Sequence, residues 1–334
     1  MEGLLVKVSE AAWSRVQRIL LAVAALSWLA CALGVATNPR QFYASYLVGF
    51  MYFLTIALGS AFFLMAWNLS GAVWSLPVRR LMEALAATLP LGAVLFLPVV
   101  AGIGSLYEWS HPEFFSNDPV LQVKVIFFNR TFFLARAAVY FLVWSLLSLA
   151  LYRISLRQDL DSSAQAVRKA VFWSGPGLAA LMVTVTMAAV DWLMSLEPHW
   201  YSTIFGIYVF AGGGLAFLAA LILLAQAFRR GGLLAEAIKV DHYHDLGRWL
   251  FAMVVFWAYI GFSQYLLIWY ANLPEETIWF RHRLDGNWVW VSASLLVGNF
   301  IVPFLVLISR GAKRNPAVLG GADTVRVTEQ EKHH

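Results

Sequence analysis

The sequence predicts an all-α integral membrane protein with eight transmembrane helices and both termini in the cytoplasm. Three observations carry that prediction. The chain has 334 residues, of which 60% are hydrophobic and only 13% charged, and its mean hydropathy is +0.69; soluble domains carry about a quarter charged residues. Eight apolar stretches, near 17–36, 43–69, 81–104, 125–151, 170–194, 203–228, 247–271 and 287–309, each reach the roughly 20 residues that cross a ~30 Å hydrocarbon core. The N-terminus, the segments 70–80, 152–169 and 229–248, and the C-terminal tail hold 18 of the 24 lysines and arginines. The alternate connections hold only Arg40, Lys124, Arg130, Arg281 and Arg283, and Arg136 falls within a span. Positive charge accumulates on the cytoplasmic side, so the net charge of +5 reports topology and not nucleic-acid binding.

The first span resembles a signal peptide in its small residues, "CALGVA". Its preceding polar region is long and its apolar core runs about 18 residues, more than a usual h-region, so it is read as a retained span. Cys31 within it has no disulfide partner and reads as a small buried hydrophobe. The third span carries Pro90 and Pro98, the fifth "SGPG" (174–177) and the eighth Pro303. Each is expected to interrupt its helix and free backbone carbonyls, a feature of transport and ligand sites, although for Pro303 a packing kink is the simpler reading. Ser202 or Thr203 is expected to cap the sixth span, and "FAGGGLAF" within it lets helices approach closely. "DHYHD" (241–245) makes a weak metal pair, and Asp245 reads better as the cap of the seventh span. The inner connector "RISLRQDLDSSAQAVRKA" is a solvated linker, and the tail beyond Pro316 frays.

Two connections are long, 105–124 ("SLYEWSHPEFFSNDPVLQVK") and 272–286 ("NLPEETIWFRHRLDG"). Both lie on the outer side and are rich in aromatics, prolines and acids. They are expected to be covered by partner subunits; taken singly, their tryptophans and tyrosines also fit an interfacial belt. No cofactor is expected on this chain. The seven histidines avoid the middle of every span, so facing haem ligands are missing, and a single cysteine allows neither an iron–sulphur cluster nor a zinc knuckle.

The charges inside the membrane single out a candidate site. Arg136 lies about 9 Å deeper than Arg130 at 1.5 Å per helical residue. A mid-span arginine costs ~2.5–3.5 kcal/mol and faces a partner or a watery cavity; a structural ion pair is the alternative. Asp191, in "AVDWLMSLEPHW" (189–200), sits one turn before the break at Pro198, with Thr184 and Ser195 on or near its helical face. Desolvation of a carboxylate there favours its neutral form and suits it to relay protons, with Glu197 and His199 as the exit. Plain helix termination explains Glu197-Pro198 equally. Glu108, His111 and Glu113 form a similar cluster walled by Tyr107 and Trp109, and Ser263, Gln264 and Asn299 are further polar groups facing protein or cavity.

The strings "DWLMSLEPHWYSTIFGIYVFAG", "HYHDLGRWLFAMVVFWAYIGFSQYLLIWYANLPEE", and "YEWSHPE" followed by "FFNRTFFLARAAVYFLVWS" resemble one family. It is the second NrfD-like membrane subunit of bacterial alternative complex III, a quinol:cytochrome c oxidoreductase, and the likeness runs from about Phe42 to Asn315. The resemblance implies two four-helix bundles, 17–155 and 169–310, between a cytoplasmic N-terminus (1–16) and tail (311–334), in the bacterial cytoplasmic membrane. It implies a multihaem cytochrome c subunit, an iron–sulphur subunit and a sister NrfD-like subunit as partners, with the haems and clusters in those partners and quinol or menaquinol as reductant. It also implies a quinone-facing or proton-conducting role, and Arg136, Asp191, Glu197, His199, Glu108 and His111 match its motif positions. Relatives tend to have histidine where this chain has Asn299, which sets that position apart from any family proton role. Two other roles compete with this expectation. One is a purely structural membrane anchor, and the other a secondary transporter, against which the chain shows no internal repeat.

Overall fold

The computed structural model describes residues 10–115, 122–160, 164–232, 234 and 237–320. Residues 1–9, 116–121 in the 105–124 connection, 161–163, 233, 235, 236 and 321–334, with the two terminal histidines, lie outside them. Among the described residues every regular element is helical. Eight helices are long and apolar enough to cross a membrane: Ser14–Thr37, Pro39–Ser70, Val73–Ala101, Arg130–Asp159, Gln165–Leu196, Phe205–Arg230, Val240–Ala271 and Trp288–Leu307. They match the eight expected stretches in order, and the chain is a multi-pass membrane protein.

The fourth span starts later and ends later than its apolar run. Asn129 Oδ1 accepts from the backbone N–H groups of Thr131 (2.9 Å) and Phe132 (3.4 Å), starting the helix at Arg130. Beyond the apolar run the helix continues to Leu160, because its polar last turns find partners on the third span. Arg79 and Arg80 both bind Glu83 (2.8 and 2.6 Å), Arg79 also binds Gln158 (2.8 Å), and Arg80 binds Ser155 (3.0 Å) and Asp159. Glu83 is 1% exposed and balanced by two guanidinium groups.

The prolines act unequally. The third span is a chain of short helices, Leu76–Ala86, Leu89–Leu95, Leu97–Ala101 and Ile103–Leu106, with Pro77, Pro90 and Pro98 each in the first turn of a segment, where a missing N–H costs no helical bond. The Tyr46 hydroxyl donates to the Leu95 carbonyl (2.7 Å) at one of these breaks. Pro176, by contrast, lies inside one continuous helix, Ala164–Trp192, so "SGPG" does not interrupt the fifth span. It is a packing notch: a Cβ on Gly177 would sit 2.8 Å from Leu147 Cδ2 and 3.0 Å from Met65 Sδ. In the eighth span a widened π-turn, Val297–Ile301, containing Asn299, precedes Pro303. That turn absorbs the proline's missing bond.

Two expected caps are corrected. The seventh helix begins at Val240, where His242 Nδ1 accepts from the Lys239 N–H (3.0 Å); Asp245 lies in its second turn, 3.5 Å from Arg248. The sixth begins at Phe205 without a side-chain cap, and the Ser202 carbonyl takes the Phe205 N–H instead.

The second span is the centre of the molecule, buried along most of its length and packed on the first, third, fifth and sixth. Its approach to the sixth is close. A Cβ on Gly59 would lie 2.8 Å from Phe217 Cβ, and one on Gly213 would lie 2.8 Å from Thr55 Cβ. The first and eighth spans lie at the periphery and present apolar side chains such as Leu21, Trp28, Trp290 and Leu305 outward, the surface that suits hydrocarbon.

Candidate functional site

The site forms where the second turn of the fourth span meets the last turn of the fifth. Arg136 and Asp191 are 55 residues apart in sequence and meet in a bidentate ion pair, Nε to Oδ2 at 2.8 Å and Nη2 to Oδ1 at 2.9 Å. Tyr140, one turn after Arg136, donates its hydroxyl to Asp191 Oδ2 (2.7 Å). The Asp191 side chain is 1% exposed and that of Arg136 13%. Arg136 also donates to the Phe127 carbonyl through both terminal nitrogens (3.3 Å each) and lies over the Phe127 and Phe132 rings, at 4.1 and 4.2 Å. Asp191 is therefore not the lone desolvated carboxylate expected from sequence. Guanidinium and phenol donors converge on both of its oxygens in charge-assisted hydrogen bonds.

Aromatic side chains seal the pair from below. Trp192 is fully buried and touches the rings of Phe50, Phe96, Tyr140, Phe141 and Trp144. From the first long connection Tyr107 donates its hydroxyl to the Trp192 carbonyl (3.0 Å). Burial pushes the Tyr107 phenol well above its usual value, and the Asp191 charge adds to the shift, so it stays a donor. One turn below Tyr140, Trp144 Nε1 donates to Thr184 Oγ1 (2.8 Å), and the Thr184 hydroxyl donates to the Ala180 carbonyl (2.7 Å). Arg136, Asp191, Tyr140, Trp144 and Thr184 thus form one polar column between the fourth and fifth spans.

The other expected residues belong elsewhere. Glu197 faces the second long connection, with Oε1 3.0 Å from His282 Nδ1 and 3.8 Å from Arg283 Nη1, and among the described residues these are its side-chain partners. Burial pulls the Arg283 guanidinium down from its usual value while Glu197 opposes the shift. Arg283 also sits over the Trp279 ring (3.0 Å), which stacks on Trp200 at 4.1 Å between centroids. His199 meets Phe114 edge-on, and Lys124 donates to the Pro198 carbonyl (2.7 Å). His111 Nε2 lies 2.8 Å from the Gly104 carbonyl, Glu108 opens a short turn beside it, and Gln264 is buried in the seventh span. The proposed exit through Glu197 and His199 is not continuous with Asp191 by hydrogen bonds to Glu197. Within 105–115 Trp109 is buried by its own chain, 2% exposed against Tyr107, Phe128 and Phe133, while Glu108, His111 and Glu113 stay exposed.

Sequence reasoning missed Tyr140 and Trp144 and placed Tyr107 with the Glu108–His111–Glu113 cluster instead of with Trp192, although the four-residue step from Arg136 to Tyr140 was a usable signal. It also missed Glu83, marked by "RRLME", an acid three and four residues after two arginines. Among the described residues no three His, Cys, Asp or Glu side chains converge as metal ligands. Fold and site define a class: a helical, multi-pass membrane protein with a buried charge pair joining two spans. No family model matches the chain, and no curated protein matches it in sequence.

Proposed function

We propose that the chain is the second NrfD-like membrane subunit of a quinol-oxidising complex of the alternative complex III type. In this reading it sits in the bacterial cytoplasmic membrane beside a multihaem cytochrome c subunit, an iron–sulphur subunit and a sister NrfD-like subunit. The partners hold the haems and clusters, and quinol or menaquinol is the reductant. Both termini are cytoplasmic, which puts Asp191 toward the outer face. The two four-helix bundles, 17–155 and 169–310, then meet along the second and sixth spans, with Arg136 and Asp191 bridging them.

The observation that supports this reading is the Arg136–Asp191–Tyr140 cluster. A carboxylate in a span takes up a proton only when its countercharge finds another partner, and Arg136 has one already in the Phe127 carbonyl. A small swing of the guanidinium toward that carbonyl and the Phe127 and Phe132 rings leaves Asp191 to accept a proton, with Tyr140 hydrogen-bonded to it throughout. The bidentate geometry favours a second reading, in which the pair is a structural clasp in a membrane anchor. Asp191→Asn in the intact complex separates them. A proton-handling role gives quinol turnover slowed or uncoupled from proton release in the complexes that assemble. Failed assembly favours the clasp, and unchanged assembly, turnover and proton release remove Asp191 from the mechanism.

A further inference from the structure

The connection between the seventh and eighth spans forms a helix, Pro274–Leu284, that folds back beside the end of the seventh span. Asn272, in the left-handed conformation (φ 48°), makes the reversal. Between helix and span lies a cavity of about 1090 Å³, walled by Tyr265, Ile268 and Trp269 on the span side and by Arg281 and Asp285 on the other. Tyr265 is about 9 Å below the span's last residue at 1.5 Å per residue, so the cavity reaches from the water boundary into the acyl region. The helix adds Ile278, Phe280 and Leu284, so apolar side chains line both walls and the exposed Arg281 and Asp285 supply charge at the solvent-facing side.

The two mouth charges are unanswered within the chain. Neighbouring His282 and Arg283 are committed to Glu197. Arg281 and Asp285, both exposed, have no side-chain hydrogen bond or ion pair among the described residues. A cation and an anion at the mouth of an interfacial cavity match a ligand that carries both charges above an apolar body. A phosphodiester meets the guanidinium in charge-assisted hydrogen bonds, a primary ammonium meets the carboxylate, and acyl chains lie against Tyr265, Ile268 and Trp269. A purely anionic lipid could still meet Arg281 but would leave Asp285 without a cationic partner. We propose that this cavity is a binding site for a zwitterionic aminophospholipid, on the membrane face where Asp191 lies. The inference rests on the membrane spans and the cavity alone, independently of any quinol chemistry.

The full-length chain in nanodiscs containing equal phosphatidylethanolamine and phosphatidylglycerol, released and weighed by native mass spectrometry, tests it. The native chain should retain one phosphatidylethanolamine, preferred about tenfold over phosphatidylglycerol. Asp285→Asn should abolish the preference, and Arg281→Gln should release both lipids. Thr277→Trp, which fills the cavity while leaving both charges, should exclude both as well. Inorganic phosphate, lacking an ammonium and chains, should not compete. Equal retention of the two lipids by the native chain would overturn the proposal, as would full retention in Arg281→Gln and Thr277→Trp. So would displacement by phosphate, or a co-purifying polypeptide shielding Arg281 from phenylglyoxal in place of lipid.

Discussion

At the scale of single residues, the site turns on how an ion pair behaves where water cannot reach it. Removing one partner of a buried pair leaves the other charge uncompensated, at a cost of about 3–5 kcal/mol. Asp191→Ala strands Arg136 under Phe127 and Phe132 and should lower stability by that amount. The pair of changes Arg136→Met and Asp191→Leu should recover most of it, because well-packed apolar groups replace buried ion pairs at little cost. Unfolding of the detergent-solubilised chain, followed by tryptophan fluorescence, measures both; a double variant as weak as Asp191→Ala would show that the charges themselves hold the fold. Both residues were legible in the sequence because each violates the hydropathy of its span. Their pairing was not, since nothing local links positions 55 apart. Glu83 went unread for a related reason: it lies at the start of an apolar run, where an acid looks like an ordinary boundary residue until two arginines close on it.

At the scale of elements, the eight spans were legible because length and apolarity are local properties that the bilayer reads directly. The fate of each proline was not, because it depends on neighbours. Pro90 and Pro98 divide a helix whose carbonyls find other donors, whereas Pro176 is accommodated within an unbroken one. The helix Pro274–Leu284 was written in the sequence but not read there. It has proline at its first position, Glu275 and Glu276 in the first turn, and Arg281, His282 and Arg283 in the last, the arrangement a helix dipole favours. Its attachment rests on Trp200, which stacks on Trp279 and donates Nε1–H to the Glu276 carbonyl (3.1 Å). Trp200→Ala should therefore cost about 3–5 kcal/mol in local attachment. Limited trypsin digestion should show faster cleavage after Arg281 and Arg283, with cleavage after Arg229 and Arg230 unchanged. Equal acceleration at all four sites would mean that Trp200 supports the whole fold and not this helix.

At the scale of the whole molecule, the question is what joins spans that lipid would solvate equally well. Without a hydrophobic drive between helices, association depends on close packing, and small residues permit it. "FAGGGLAF" announced close approach without saying which glycine faces which helix. The three are distinct in the fold. A Cβ on Gly212 would meet Trp257 at 3.7 Å, an ordinary contact, while one on Gly213 would lie 2.8 Å from Thr55 Cβ and 3.1 Å from the Thr55 carbonyl. The second of these neighbours is backbone and yields only if the second and sixth spans separate. Since the second span also carries the first, third and fifth, that separation is felt throughout the core. Gly213→Ala should then cost about 1–3 kcal/mol, the usual penalty of overpacking, whereas Gly212→Ala should be neutral or slightly stabilising through the higher helix propensity of alanine. Thermal unfolding midpoints of the two variants in one detergent make the comparison without needing any partner subunit. A lower midpoint for Gly213→Ala alone assigns the junction to the Gly59–Gly213 crossing, and equal midpoints would show that the spans are held together elsewhere, with the Arg136–Asp191 pair the first place to look.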